Sequence, residues 1–99
     1  MAGRVAWTDS AWQELECVAS FIARDSPRYA GALMDEARSA AKSVWKFPRR
    51  GRVVPEVGDN AVRELFVKSY RMIYEIREGR IVILAFIHGA RHFPVALLR

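Results

Sequence analysis

The residues of this chain whose types could do chemistry are concentrated in its second half. Glu64, Arg71 and His88 supply a carboxylate, a guanidinium and an imidazole within residues 63–91. The strand register expected from the sequence places the three on one face of a sheet. Such a cluster is either a binding surface or a cross-strand ion pair on a solvated face, and an exposed pair of that kind contributes about 0–1 kcal/mol. The spacing of the three residues does not decide between these interpretations.

Three consecutive strands must position this cluster. Apolar residues alternate with others over Val62–Val67, Tyr70–Arg77 and Arg80–His88, which predicts half-buried strands. The connectors Lys68-Ser69 and Glu78-Gly79 are short enough for a meander, and the glycine of the second can adopt the positive φ of a tight hairpin. With two-residue loops, the predicted register pairs Val67 with Tyr70, Leu65 with Met72, Ile76 with Ile81, Tyr74 with Ile83, and Met72 with Ala85.

Strict alternation in that register divides the sheet into two faces. The predicted core face carries Leu65, Val67, Tyr70, Met72, Tyr74, Ile76, Ile81, Ile83, Ala85 and Ile87. The opposite face carries Glu64, Phe66, Arg71, Ile73, Glu75, Val82, Leu84, Phe86 and His88, and is either solvated or a binding surface. There Arg71 is expected opposite Phe66 and Phe86, with Glu64 and His88 as diagonal neighbours.

Two helices are predicted ahead of the sheet. The first has an apolar stripe of Ala11, Leu15, Val18, Ala19 and Ile22, with Thr8, Asp9 or Ser10 as its N-cap. Ser26 and Pro27 then predict a second N-cap, followed by a stripe of Tyr29, Leu33, Ala37, Ala40, Val44 and Phe47 that ends before Pro48. The very short connector between them indicates an antiparallel hairpin. Residues 4–7 favour a brief first strand, residues 48–60 a loop, and VALLR at 95–99 an apolar tail that covers the core or meets a partner.

Composition limits the class of protein. Ninety-nine residues with 52% hydrophobic content fit one ordered domain, 1–99. No apolar run approaches the roughly 20 residues of a membrane span, and the first ten residues lack the apolar core of a secretion signal, so we expect a cytoplasmic protein without membrane contact. The single cysteine, Cys17, excludes an internal disulfide and a multi-cysteine metal site.

The net charge of +5 is placed unevenly. Residues 1–46 hold six basic and six acidic groups, whereas residues 47–99 hold ten basic and five acidic groups. Arginine outnumbers lysine thirteen to three, and its planar fork suits carboxylates and phosphates. An acidic protein segment or nucleic acid is the expected partner, unless the arginines only solubilise the surface. The candidate binding residues are Arg49, Arg50, Arg52, Arg63, Arg71 and Arg91.

Two familiar motifs fail on context. Ser39 to Lys42 matches an SxxK pattern, but it lies on a helix rich in small residues and lacks companion motifs. His88 and His92 have the spacing of a helical metal pair, yet the predicted strand before them and Gly89 between them argue against a helix there. No metal or cofactor is predicted.

The order of elements resembles the ParE/RelE superfamily of bacterial type II toxins over nearly the whole chain. The residues that carry the resemblance are VAWT at 5–8, FIARDSPRYA at 21–30, FPRRGRVVPE at 47–56, RELFV at 63–67, YRMIY at 70–74 and IHGAR at 87–91. The resemblance implies an α+β fold: a short N-terminal strand, then an antiparallel helix hairpin packed on one face of an antiparallel sheet that ends in a three-stranded meander. It also implies a growth-arresting toxin that a cognate ParD- or RelB-like antitoxin neutralises within a hetero-oligomer.

Two mechanisms divide the superfamily, and the resemblance is closer to the ParE branch. ParE-like members poison DNA gyrase, which is the favoured function here. RelE-like members cut messenger RNA in the ribosome, and that mapping would make Glu64 the general base, Arg71 the phosphate ligand and His88 the aid to the leaving group. The nuclease branch has an aromatic hydroxyl residue after its histidine, where this chain has Gly89. An inactivated relic and a plain nucleic-acid-binding domain are the remaining alternatives.

Overall fold

Two helices and a five-stranded sheet make up the part of the chain that the computed structural model describes, residues 4–98. The α+β architecture is the one expected from the sequence. No helix within these residues is long and apolar enough to cross a membrane. Arg99 of the predicted tail lies outside the described residues, as do the side chains of Leu97 and Leu98. The elements are β1 (Val5–Trp7), α1 (Asp9–Ala23), α2 (Pro27–Lys46), β2 (Arg52–Val53), β3 (Val62–Val67), β4 (Tyr70–Arg77), β5 (Arg80–His88) and a final 3-10 turn (Val95–Leu98).

The first helix begins at Thr8, one of the three caps that the sequence allowed, and the second begins at Ser26 as predicted. The Thr8 hydroxyl accepts from the Ala11 amide at 3.0 Å, and the Ser26 hydroxyl accepts from the Tyr29 amide at 3.1 Å. Each cap satisfies one of the amides that a helix start leaves without a partner. Pro27 occupies the first position of α2, where its missing N–H costs nothing.

The buried stripe of α2 differs from the predicted stripe at four residues. Tyr29 and Phe47 are exposed, whereas Ala30 and Ala41 are buried beside the correctly predicted Leu33, Ala37 and Val44. Tyr29 lies in the first turn, where its ring contacts the Lys68 ammonium at 4.9 Å. Phe47 caps the helix in a non-helical conformation that carries its side chain away from the stripe.

The strands are ordered β1-β5-β4-β3-β2. The meander is antiparallel as predicted, and β1 joins it as a parallel edge strand beside β5. The segment predicted only as a loop contains the two-residue strand β2, which pairs with β3. Gly79 adopts φ 70° in the second hairpin, as its position required.

A β-bulge changes the register of the second hairpin. Tyr74 on β4 pairs with Ile83 on β5 as predicted, but the residue before Tyr74, Ile73, pairs with Ala85. Leu84 is therefore an extra residue on β5 that has no partner on β4. The predicted pairing of Met72 with Ala85 is therefore wrong, because Met72 pairs with Phe86. Beyond the bulge, every side chain of β5 lies on the face opposite to its predicted one.

The bulge has a packing explanation. Phe86 becomes buried against the helices, where its ring stacks on that of Tyr70 at 5.4 Å. Its backbone amide, which lies beyond the end of β1, donates to the Glu14 carboxylate on α1 at 2.9 Å. The helix side chain thus replaces the strand partner that β1 is too short to supply.

Both faces of the sheet are covered. The helix-side core contains Leu15, Leu33, Met72, Tyr74 and Phe86 among others. A second core on the opposite face combines Val54, Val62, Ile73, Ala85, Ile87 and Phe93. The face expected to be solvated or free for binding is therefore packed under the 48–60 segment and residues 89–96, called the C-terminal tail below. Of the apolar tail predicted at 95–99, Val95 contacts this second core.

Candidate functional site

The centre of the candidate site is the guanidinium of Arg71, a residue that is 4% exposed. Its Nε donates to Glu64 Oε1 at 2.7 Å, and one terminal nitrogen lies 2.7 Å from the same oxygen. The two terminal nitrogens donate to the two oxygens of Glu56 at 2.8 Å each. The remaining N–H donates to the Arg91 carbonyl at 2.9 Å. All five N–H groups of Arg71 thus have partners within the chain.

Glu56 is the member of this network that the sequence analysis missed. It arrives from the loop between β2 and β3, and besides Arg71 it accepts from the Phe93 amide at 2.9 Å. The hydrogen bonds from Arg71 lower the pKa of Glu56 to about 2, and the same bonds raise the pKa of Arg71. A lone glutamate in a turn-rich loop offers no periodic signal, so its role could not be found from spacing.

Glu64 joins the network from β3. Its side chain is fully buried, with Oε1 on Arg71 and Oε2 accepting from Arg52 Nε. Arg52 is more exposed and lies over the Phe66 ring at 6.0 Å. A buried carboxylate is tolerated here because cations contact both of its oxygens.

His88 does not join Glu64 and Arg71, which corrects the cluster predicted from the register. The bulge at Leu84 turns the exposed His88 side chain to the helix side of the sheet. There its ring meets the Tyr70 ring edge-on at 5.7 Å, and its Nδ1 accepts from the Ala90 amide at 3.1 Å. The residue opposite Arg71 on β5 is accordingly Ile87, not Phe86.

Gly89 fills a place where a side chain does not fit. A Cβ there would lie 2.9 Å from Phe66 Cε2 and 3.1 Å from the Ser69 carbonyl oxygen. The Gly89 amide also donates to that carbonyl at 2.8 Å. A larger residue after the histidine, such as an aromatic hydroxyl residue, therefore requires Phe66 to move. His92 comes nearer to the network, with Nδ1 3.8 Å from Glu56 Oε2, and is well exposed.

The remaining arginines divide into those that hold the fold and those that face solvent. Arg63 donates to the carbonyls of Arg49 and Gly51 at 3.1 and 2.9 Å, and also to Asn60. Arg63 therefore organises the loop, and its guanidinium is not presented to a partner. Arg49, Arg50 and Arg91 have exposed side chains.

Two hydrogen bonds to the Tyr74 hydroxyl hold the backbone of the turn at residues 48–51. The Tyr74 hydroxyl donates to the Pro48 carbonyl at 2.6 Å and accepts from the Gly51 amide at 3.1 Å. Burial raises the pKa of this hydroxyl, so it stays protonated and able to donate. With its backbone held by Tyr74 and Arg63, the turn presents Arg49 and Arg50 beside the exposed ring of Phe47.

Chemically, the network around Arg71 is a set of satisfied ion pairs. The accessible cations are Arg52 at its edge and Arg49 and Arg50 outside it. Residues 4–98 contain no group of three or more histidine, cysteine or acidic side chains that could hold a metal ion. The arrangement can bind an anionic partner through Arg49, Arg50 and Arg52. It does not bring an acid, a base and a phosphate ligand to one accessible point.

Comparison with known proteins shows which family has these features. The sequence model of the ParE toxin of type II toxin-antitoxin systems, parDE, matches residues 5–93. This chain belongs to the ParE toxin family. The resemblance inferred from the sequence is thereby confirmed.

Two individual proteins show the same relationship. Toxin RelE2 of Caulobacter vibrioides is 30% identical over 89 residues, which cover 89% of this chain and 97% of that protein. A structure described as the chromosomal ParDE TA system from P. aeruginosa superimposes with a TM-score of 0.69 at 17% identity, covering 88% of this chain and 96% of that one. At that identity the structure supports the fold.

Proposed function

We propose that this ParE-family toxin arrests growth by binding and poisoning DNA gyrase, and that a cognate antitoxin neutralises it in the cytoplasm as a toxin-antitoxin hetero-oligomer. The observation that carries this proposal is that every N–H group of Arg71 already has a hydrogen-bond partner within the chain. A guanidinium with five internal hydrogen bonds has no donor left for a phosphate, and His88 lies on the other face of the sheet. These positions favour action by binding over cleavage of RNA.

The contact surface we propose is the turn at residues 48–51, whose backbone Tyr74 and Arg63 hold, together with the neighbouring Arg52. Arg49 and Arg50 have no carboxylate partner among residues 4–98, so a partner's acidic groups gain uncompensated charge contacts there. The held backbone reduces the conformational entropy lost on binding.

A supercoiling assay with purified gyrase tests this proposal. We expect the full-length protein to inhibit supercoiling and the double variant R49A/R50A to need about tenfold more protein, because two rim charges contribute roughly 0.5–1 kcal/mol each. The double variant R77A/R80A removes two arginines from the β4–β5 hairpin and serves as the charge-matched control. Full gyrase activity at excess toxin would reject gyrase as the target.

The second candidate is the RelE-like nuclease, favoured by the direct contact between Glu64 and Arg71 and by the similarity to Toxin RelE2. In that function the two residues would act as general base and phosphate ligand after the network opened, with His88 at the leaving group. Mapping of transcript ends during growth arrest distinguishes the candidates. New ends that disappear in R71A and H88A would establish cleavage, and unchanged ends would exclude it.

A further inference from the structure

An open pocket lies where α2 ends and the turn at residues 48–51 begins. Its volume is about 570 Å³, and three apolar and three basic side chains line it: Phe47, Pro48, Ile76, Lys46, Arg49 and Arg50. Phe47 is 60% exposed, so one face of its ring is open to a ligand. A ring face among cations suits a ligand that combines a flat ring with negative charge.

The positive charge around this pocket is uncompensated. Residues 37–55 contain six basic residues and no acidic residue. Lys46, Arg49 and Arg50 have no carboxylate partner within the described part of the chain. A phosphate that binds here therefore displaces no existing ion pair, and each such contact adds the salt-dependent affinity that is typical of nucleic-acid binding.

The backbone that presents the Phe47 ring is already held on both sides. The Phe47 amide donates to the Ser43 carbonyl at 2.8 Å, and the Phe47 carbonyl accepts from the Arg50 amide at 3.1 Å. The Tyr74 hydroxyl holds the next residue through the Pro48 carbonyl. Because the turn is held before the ligand arrives, less conformational entropy is lost on binding.

The same hydrogen bonds leave few backbone groups with which a peptide could pair. Besides the two carbonyls described above, those of Arg49 and Gly51 accept from Arg63. An extended peptide obtains much of its affinity from main-chain hydrogen bonds. A base needs only a ring face on which to stack, and a phosphate needs only cations. The pocket therefore favours a nucleic acid with unpaired bases over an acidic protein segment.

We propose that this pocket binds single-stranded DNA by stacking one unpaired base on the Phe47 ring. The phosphates on either side of that base contact Lys46, Arg49 and Arg50. The choice of DNA rests on the proposed function, since gyrase acts on DNA, and it names the component of the gyrase–DNA complex that the turn contacts. The stacking chemistry rests on the pocket alone.

The test uses the full-length protein without gyrase, and binding of a short labelled oligothymidylate is read from fluorescence anisotropy. An oligonucleotide of the same length without bases keeps every phosphate. It should bind about fivefold more weakly or worse, because a base stacked on an aromatic ring contributes at least that factor. Equal affinity for the two oligonucleotides would overturn the proposal, since charge alone would then account for binding.

Substitution of the ring supplies the second arm. We expect F47A to bind oligothymidylate about fivefold more weakly or worse, and F47W to bind at least as well as the parent because indole is a larger stacking surface. F21A is the matched control, because Phe21 is 66% exposed on α1 and lies outside the pocket. Circular dichroism establishes that the variants are folded. Equal affinity of F47A and F21A would overturn the proposal.

The cations are tested through the salt dependence of binding. In R49A/R50A the slope of log affinity against log salt concentration should become shallower by about 1.4, because each phosphate contact to a single strand contributes about 0.7. R24A/R28A removes two exposed arginines at the junction of the helices and should keep the parent slope. Equal slopes in the two double variants would overturn the assigned phosphate contacts.

Two competitors test the identity of the ligand. Tighter binding of the ribose counterpart would replace DNA by RNA, and displacement of the oligonucleotide by a lower concentration of an acidic peptide would replace it by protein. The supercoiling assay separates this inference from the proposed function. A protein that inhibits gyrase but binds no oligonucleotide would reject the pocket alone, whereas oligonucleotide binding with full gyrase activity would reject gyrase and keep the pocket.

Discussion

At the scale of single residues, the largely covered carboxylate of Glu56, 11% exposed, connects three parts of the chain. It binds Arg71 on β4 and the Phe93 amide of the tail, while its own backbone belongs to the loop before β3. Removing its charge leaves the buried Arg71 guanidinium with one carboxylate partner, Glu64, instead of two, and weakening the pairing of a buried charge costs more than an exposed pair contributes.

Glu56→Gln should therefore lower the free energy of unfolding by about 2–3 kcal/mol. Glu75→Gln is the control, because the pair of Glu75 with Arg77 is partly exposed and its loss should cost about 0.5 kcal/mol or less. Urea denaturation measures both variants. Equal stabilities would mean that the Glu56 contacts contribute nothing net.

The pKa of Glu56 also predicts a pH dependence. Folding lowers the pKa from its ordinary value of 4.5 to about 2, so the folded state prefers the charged carboxylate. This stability is complete above about pH 5 and is lost as the pH falls from 4.5 towards 2. Denaturation measured between pH 6 and pH 3 should show a smaller loss in Glu56→Gln than in the parent, and parallel losses would contradict the assignment.

At the scale of elements, the turn at residues 48–51 depends on one glycine. A Cβ on Gly51 would lie 2.6 Å from both the Glu64 carbonyl oxygen and the Tyr74 hydroxyl. Neither the Glu64 backbone nor the buried Tyr74 ring has room to move away from an added Cβ. The close approach of this turn to β3 and β4 therefore requires glycine. The same approach lets Tyr74 hold the turn.

Gly51→Ala should destabilise the protein by about 2–3 kcal/mol, since overpacking a filled site forces strain on its neighbours. Gly31→Ala is the matched control: Gly31 lies on the exposed side of α2, and no side chain or other element lies within 4 Å of an added Cβ. That substitution should stabilise by up to about 1 kcal/mol through helix propensity. Thermal melts of the two variants that move in the same direction would disprove this account of the turn.

At the scale of the whole molecule, the sheet separates two hydrophobic cores that are built from different elements. The helices cover one face, whereas the 48–60 segment and the tail cover the other. A short chain gains stability from using both faces, because it has few residues with which to bury apolar surface. The second core makes the tail part of the folded domain.

Phe93→Ala tests that statement. Phe93 is 2% exposed in the second core, and its truncation should cost about 3–5 kcal/mol. Phe66→Ala is the control, because that ring is 55% exposed and should contribute about 1 kcal/mol or less. Equal unfolding midpoints in urea would show that the tail adds little to the fold.

The sequence by itself determined the elements and most of the fold. Periodicity located the helices and the three meander strands. Local chemistry located the cap at Ser26 and limited the first cap to Thr8, Asp9 or Ser10, because these signals depend on neighbours along the chain. Tyr74 was correctly predicted as a core residue, and Tyr70 is partly buried beside it.

Only the tertiary structure decided the site. One extra residue at Leu84 reversed the faces of Phe86 and His88, and that bulge depends on packing against α1 and Tyr70, which no local pattern encodes. Glu56 reached Arg71 across 15 positions of sequence through a loop without periodicity. Contacts of this kind are set by how the elements pack, so the sequence indicated that Glu64 and Arg71 would meet but not which residues would complete the cluster.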